Sequence, residues 1–303
     1  MPRRGVLLLF LDGVGIGGDD PHVNPFLTAR LPVLRSLLGG AVPTLRTPVL
    51  EHGAARTAPL DATLGVEGVP QSGTGQAALL TGTNAPREYG RHFGPWTPSA
   101  LRPLVERANL LASVQNQGRT AAFANAYPAA WPQRRAARRA AAAPLAAHSA
   151  GTMVRHEDAL RAGEAVASEI VNDRWIEHLD AGLPRVTEEA AGANLARIAA
   201  TAQLTLFAHY DTDTAGHTQS PVRARSALER VDRFLGGLLE HLDGDTTLVI
   251  ASDHGNVEDV GAGHTLNPAL GLAVGPGAGA ILGDARDLTR VAPAILAHLA
   301  GAV

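Results

Sequence analysis

Residues Val6–Gly18 read VLLLFLDGVGIGG. Six apolar residues, Val6–Leu11, run without a polar break, stop at Asp12 and open into a glycine-rich loop. A strand covered on both faces has this pattern, because helices pack on either side of a parallel sheet and neither set of alternating side chains meets water. The same pattern returns twice. Leu204–His209 (LTLFAH) runs straight into YDTDTAGHT, and TTLVIASDHG, from Thr246, places Asp253 just past another apolar run.

Helical patterns lie between these runs. Leu228, Val231, Leu235, Leu238, Leu239 and Leu242 fall on one face at helical spacing. Pro25–Leu38, Leu101–Val114, Glu188–Thr201 and Leu288–Leu299 are further helix candidates, and Thr120–Tyr127 and Leu270–Val274 further strands. Strands alternating with helices predict an α/β fold, a three-layer sandwich around a mostly parallel central sheet. Ligands bind such sheets beyond the carboxyl ends of the strands, where the polar clusters of this chain sit. After Tyr127 the character changes to PAAWPQRRAARRAAAAPLAAHSAG, rich in Ala and Arg. We therefore expect residues 1–127 and 185–303 to form the core and 128–184 an inserted, mostly helical cap lobe.

Composition narrows the chemistry. The 303 residues are 45% hydrophobic, enough for a sizeable core, and the net charge of −3 gives no electrostatic reason to expect nucleic acid or an anionic membrane as partner. No cysteine is present, so a metal must sit on carboxylate, imidazole or hydroxyl ligands. All 26 basic residues are arginine, which excludes lysine-based chemistry. The opening MPRRGVLLLFLDGVG imitates a secretory signal, but its apolar run is short and no A-x-A site follows. A soluble, cytoplasmic protein is expected.

Asp213 and His217 stand at i and i+4, a spacing that aims two side chains the same way on a helical turn. Asp253 and His254 are adjacent at a strand end, where the backbone turns, and His264 follows in a glycine-rich loop. With Asp12 these make three carboxylates and three imidazoles at one sheet edge. That is too many for one tetrahedral ion and suits two ions roughly 4 Å apart, as in in-line phosphoryl transfer. Ser72, before a helix in PQSGTGQAALL, is the nucleophile candidate, and Thr74 is its rival. Singly, each piece has an ordinary reading as a turn, cap or surface residue; jointly they make a site. Glu258 and Asp259 are read as loop residues.

The motifs LLLFLDGVGIG, QSGTGQ…LLTG, DTDTAGH, SDHGN and GHTLNP resemble those of the alkaline phosphatase superfamily, in the branch of cofactor-independent phosphoglycerate mutase and phosphopentomutase. Carried onto this chain, the resemblance implies that Asp12, Ser72, Asp253 and His254 hold one metal and that Asp213, His217 and His264 hold the other. It also implies that Ser72, rather than Thr74, is the hydroxyl phosphorylated, and that the metals are Mn²⁺, Zn²⁺ or Mg²⁺. The chain departs from the mutases in three ways. Gln76 stands where they have His, the middle lobe is far shorter than the glycerate mutase's inserted domain, and the lysine that enzyme uses near phosphate is missing. SGTGQ also lacks the C/S-x-P-x-R context of sulfatases.

Arg134, Arg135, Arg138 and Arg139 form a basic cluster, with His148, Arg155, His156 and Arg161 beyond. Arg91, Asn125 and Arg155 are candidate substrate contacts; Tyr127 also follows the Thr120 strand and shares with Asn125 the alternative of ordinary turn chemistry. The expectation is a two-metal phosphatase or phosphomutase acting on a small phosphorylated metabolite through a phosphoserine. The alternatives are a phosphodiesterase or phosphonate hydrolase on the same core, or a non-catalytic metal-binding protein.

Overall fold

The structure, a computed structural model, describes residues 4–180 and 182–301. Residues 1–3 of the arginine-led opening and the side chain of Arg135 lie outside that description. Seven strands form one sheet: β1 (Gly5–Leu11), β2 (Glu51–His52), β3 (Ala55–Leu60), β4 (Ala121–Phe123), β5 (Leu204–His209), β6 (Thr246–Ala251) and β7 (Ala269–Val274). Their spatial order is β2-β3-β7-β6-β1-β5-β4. β6, β1, β5 and β4 are parallel, while β7, β3 and β2 add an antiparallel flank.

All seven residues of β1 are buried, as its unbroken apolar run requires. Val6, Leu8 and Phe10 pack with helices Ser72–Thr81, Leu110–Asn116 and Val291–Ala300 on one face. Leu7, Leu9 and Leu11 pack with Glu188–Ala199 and Pro221–His241 on the other. Strand alternation thus serves two cores at once and gives the three-layer sandwich. No helix among the described residues is long and apolar enough to cross a membrane.

Several elements differ from expectation. Pro25–Leu38 is a 3-10 turn, Pro25–Leu27, and a separate helix, Pro32–Leu37. Proline lacks the N–H to continue a helix, so Pro32 starts a new one. Its first turn is capped from a distance: Asp232 accepts the N–H groups of Val33 (3.1 Å) and Leu34 (2.8 Å). The Leu101–Val114 helix breaks at Asn109, whose extended backbone and side chain cap Leu110–Asn116. The Thr120–Tyr127 strand shortens to β4 because the Asn125 side chain replaces the ladder. Its Nδ2 donates to the Ala208 carbonyl (2.7 Å) and its Oδ1 accepts the Ala208 N–H (2.8 Å). The β2–β3 hairpin had no sequence signal, since Arg56 and Pro59 interrupt its apolar pattern.

Packing also divides residues 128–184. Trp131, Ala137 and Ala142–Ala147 belong to the same core as the Ser72–Thr81 helix. Leu160, Ala165, Ala167, Trp175 and Leu183 form a small cluster of their own with Ala126. The change of composition at 128 is therefore not a packing boundary: the alanines there are small residues that let helix Ala142–Ser149 pack into the main core.

Helices Glu188–Ala199 and Pro221–His241 touch backbone to backbone. A methyl group on Gly192 would overlap the Phe234 carbonyl, and one on Gly237 the Glu189 carbonyl. Gly237→Ala is expected to destabilise the fold by about 1–3 kcal/mol, the usual cost of overpacking. Urea unfolding checks this, and a midpoint equal to that of wild type would contradict the close approach.

Candidate metal centre

The central parallel strands end level. Leu11 pairs with His209 and Phe10 with Ala251, so the residues that follow emerge at one edge. Asp12 leaves β1 with its N–H donating to the His209 carbonyl (2.9 Å). Gly13, at φ +65°, turns the chain, and a side chain there would sit 2.5 Å from Asp213 Oδ1. The chain after β5 coils at once into helix Asp211–His217, placing His217 Nε2 3.2 Å from Asp213 Oδ2. After β6, an antiparallel bridge between Gly255 and Thr265 closes the glycine-rich loop. That closure lays the His264 ring on the His254 ring, with centroids 4.0 Å apart.

Two groups of side chains result. Ser72 Oγ lies 2.9 Å from His254 Nε2, while Asp12 Oδ1 is 3.3 Å and Asp253 Oδ2 3.7 Å from the same nitrogen. His264 Nε2 lies 3.1 Å from His217 Nε2 and 3.4 Å from Asp213 Oδ1. Candidate ligand atoms of Asp12, Asp213 and His254 also fall within 4.8 Å of one another, so Asp213 is common to both groups. The Ser72 group is almost wholly buried, whereas His217 opens to solvent with 55% of its side chain exposed. Thr74 is turned elsewhere: its hydroxyl reaches the Gln71 carbonyl (3.2 Å) and accepts the Phe93 N–H (3.2 Å).

The three candidate substrate contacts stand apart from these groups. Arg91 is exposed and sits 5.9 Å from the Tyr89 ring centroid. Asn125 is consumed by the Ala208 backbone. Arg155 donates to the carbonyls of Glu164 (2.8 Å) and Phe123 (3.1 Å), and lines a cavity of about 460 Å³ with Arg197 and Ile198. In the basic cluster, Arg139 stacks on Trp96 at 4.7 Å and Arg134 and Arg138 are exposed.

Residues not singled out as site members hold the candidate ligands. Glu258, wholly buried, accepts four hydrogen bonds. Gly15 N–H (2.9 Å) and Asn256 N–H (2.7 Å) donate to Oε2; Thr265 Oγ1 (2.6 Å) and Asn267 Nδ2 (3.1 Å) donate to Oε1. It thereby ties the loop after Asp12, the loop after His254 and the segment that carries His264. Asn256 donates to Asp213 Oδ1 (2.6 Å). Gln76 donates to Asp12 Oδ2 (3.2 Å) and accepts the Ala142 N–H (3.3 Å), linking this ligand to the alanine-rich segment. The Asp259 carboxylate, by contrast, accepts the N–H of Gly261 in a local turn.

The electrostatics are those of a cation site. Burial pushes the Asp253 carboxyl well above the usual range, and the neighbouring Asp12 pushes it further. Burial likewise raises Asp12, against the pull of His254. Burial disfavours charge on His254, yet Asp253 and Asp12 outweigh it and hold that imidazole up to about 10. Asp213 is held down to about 2: burial acts against its charge, and His264, His254 and Asn256 more than offset it.

Asp12 Oδ1 and Asp253 Oδ2 are buried without a hydrogen-bond partner, which buried carboxylate oxygens rarely are. Nδ1 of His254 donates to the Gly255 carbonyl (3.2 Å) and Nδ1 of His264 to the Pro70 carbonyl (3.0 Å). Both rings are thus fixed with Nε2 turned inward, as metal-ligating imidazoles are. Oxygen and nitrogen donors without sulfur fit Mn²⁺, Zn²⁺ or Mg²⁺. Glu258→Gln would turn an amide N–H₂ toward existing donors and is expected to weaken Mn²⁺ binding about 10–100-fold, the usual cost of losing a residue that orients ligands. Calorimetric titration measures it, and affinity unchanged from wild type would contradict the anchoring role.

Residues 184–302 match the family model described as the Metalloenzyme superfamily. The 2,3-bisphosphoglycerate-independent phosphoglycerate mutase of Roseobacter denitrificans is 36% identical over 124 residues, covering 38% of this chain and 24% of that protein. Its counterpart in Halobacterium salinarum is 36% identical over 93 residues, covering 28% of this chain and 18% of that protein. The chain spans about a quarter, 24%, of the length of the first of these relatives. Among solved structures, the PH0037 protein of Pyrococcus horikoshii aligns with TM-score 0.55 at 16% identity, over 98% of this chain and 92% of that one. The alkaline phosphatase of the Antarctic bacterium TAB5 aligns with TM-score 0.52 at 13% identity, over 99% and 98%. At such identities the structural likeness is one of fold. The chain thus has an alkaline-phosphatase-like sandwich fold, a match to the Metalloenzyme superfamily model over residues 184–302, and a stretch of 124 residues similar to a phosphoglycerate mutase.

Proposed function

We propose that the protein is a two-metal-dependent phosphoryl-transfer enzyme, a phosphatase or phosphomutase, that acts on a small phosphate ester through a phosphoserine at Ser72. One observation carries this reading. A serine hydroxyl in the first turn of a ten-residue helix lies 2.9 Å from His254 Nε2, beside two buried carboxylate oxygens that have no hydrogen-bond partner. The names of the matched mutases support it.

Asp12, Ser72, Asp253 and His254 would hold one divalent ion, and Asp213, His217 and His264 the other. Divalent ions held there would offset the crowded carboxylates, lower the pKa of the serine hydroxyl and polarise phosphoryl oxygens. Ser72 Oγ loses its proton to water and bonds to phosphorus as the bond to the ester oxygen breaks; that oxygen takes a proton from water as it leaves. The positive end of the Ser72–Thr81 helix favours the phosphoryl charge. Asp12 is held in place by Gln76, and Asp213 by Asn256, so neither carboxylate has to reorganise during transfer. In the second half, a water or a substrate hydroxyl attacks the phosphoserine and frees Ser72. Water gives a phosphatase, and a hydroxyl of the bound substrate gives a mutase. The segment around Leu160–Leu183, with its own small core beside β4, is the part we assign as a cap.

The test uses purified protein loaded with Mn²⁺ or Zn²⁺ and an aryl phosphate. Wild type is expected to turn over, to stop on treatment with a chelator, and to gain one phosphoryl group in quenched samples read by intact mass. Ser72→Ala should lower kcat/KM by about 10³-fold or more, the scale for losing a nucleophile. Undiminished turnover in the variant would remove Ser72 from the role, and neither turnover nor phosphorylation with either metal would remove the enzyme reading.

A further inference from the structure

Arg155, expected at the substrate, faces a cavity of its own, about 460 Å³ in volume. The cavity lies at the side of the sheet, where segment 154–164 meets the carboxyl-terminal half of helix Glu188–Ala199. β4 is the edge strand there, and β5 separates it from β1, which leads to Asp12. No candidate metal ligand lines the cavity. The segment is fixed along the strand: Tyr127 N–H donates to the Arg155 carbonyl (3.1 Å) and Arg155 Nη1 donates to the Phe123 carbonyl (3.1 Å).

Two guanidinium groups reach this place from different elements. Arg155 Nε donates to the Glu164 carbonyl (2.8 Å). Arg197, from the helix, comes so close to the preceding residue that a methyl group on Gly163 would lie 3.3 Å from its Nη2. That nitrogen also donates to Asn194 Oδ1. The acceptors of both arginines are thus neutral oxygens, and neither forms an ion pair among the described residues. Burial pulls the Arg155 guanidinium below its usual range, and the exposed acid Glu164 offsets only part of that. Two like charges in a partly desolvated place repel, and an anion between them relieves the repulsion. The rest of the lining is largely apolar: Ile198 is buried, Ala159 is half-buried, and Val154, 64% exposed, stands at the rim. The volume falls in the range of small-ligand pockets, about 300–1,000 Å³.

We propose that this cavity is a second ligand site, separate from the metal centre, that takes a small organic anion: a carboxylate or phosphoryl head between Arg155 and Arg197, and an apolar body against Ala159 and Ile198. A guanidinium presents a planar fork of donors that matches either head group. Two main-chain carbonyls already fix the plane of Arg155, so holding an anion there costs less side-chain freedom than a mobile surface arginine would lose. Two cations against one acid leave the lining positive, which disfavours a cationic ligand and gives a neutral one no electrostatic gain.

Calorimetry on the Mn²⁺-loaded full chain tests this with benzoate, phenylphosphonate and benzamide, which share an apolar ring and differ in head group. At least one of the two anions is expected to show a binding event that benzamide lacks, and which of them does so identifies the head group. Arg155→Gln and, separately, Arg197→Gln should each weaken that event by about tenfold or more, the scale for losing a hydrogen bond between charged groups. Mn²⁺ affinity should match wild type in both variants. Thermal unfolding verifies that they are folded, and the exposed Arg197 decides the matter if Arg155→Gln is not. Binding of neither anion, equal binding of benzamide, or anion binding that the folded variants leave intact would overturn the site. Loss of Mn²⁺ affinity alongside anion binding would overturn its separation from the metal centre.

Discussion

Four donors converge on the buried carboxylate of Glu258, and they come from three separate stretches of chain. Gly15 belongs to the loop after β1, Asn256 to the loop after β6, and Thr265 and Asn267 to the segment after His264. Each stretch carries a candidate ligand, and the residues that donate to Glu258 all lie outside the named helices and strands. Hydrogen bonds to a buried charged acceptor contribute about 1.5–3 kcal/mol each, and leaving such donors unpaired costs more. One acidic side chain thus sets the mutual placement of Asp12, His254 and His264, while the sheet beneath sets only where the strands end.

The groups gathered there do not suit one another without a cation. Asp12, Asp213 and Asp253 crowd into a region where Asp253 and His254 are wholly buried, and like charges in a dry setting repel strongly. The raised Asp12 and Asp253 carboxyls and the raised His254 imidazole are the signature of that crowding. Divalent ions would resolve it. Because His254 must then give up its proton, binding is linked to proton release and strengthens as pH rises.

The sheet and the candidate ligands were legible because their signals are local. Val6–Leu11 is an unbroken apolar run that stops at Asp12, β5 and β6 are largely apolar and are followed two residues on by Asp211 and Asp253, and Asp213–His217 has helical spacing. What escaped was long-range. Glu258 looks like any loop acid until 243 residues of separation from Gly15 are closed by the fold. Asn125 reads as a strand residue, yet its amide copies a ladder hydrogen bond and ends β4 early. The alanine run after Pro128 suggested a separate lobe, but small residues also allow close helix packing, and composition alone does not separate these two uses.

The central claim is that this sheet edge holds two divalent ions in two defined groups. Anomalous diffraction at the manganese edge, from crystals grown with Mn²⁺, tests it most directly. The account requires two peaks per chain, one among Asp12, Ser72, Asp253 and His254 and the other among Asp213, His217 and His264. A single peak, or peaks away from these side chains, would contradict it.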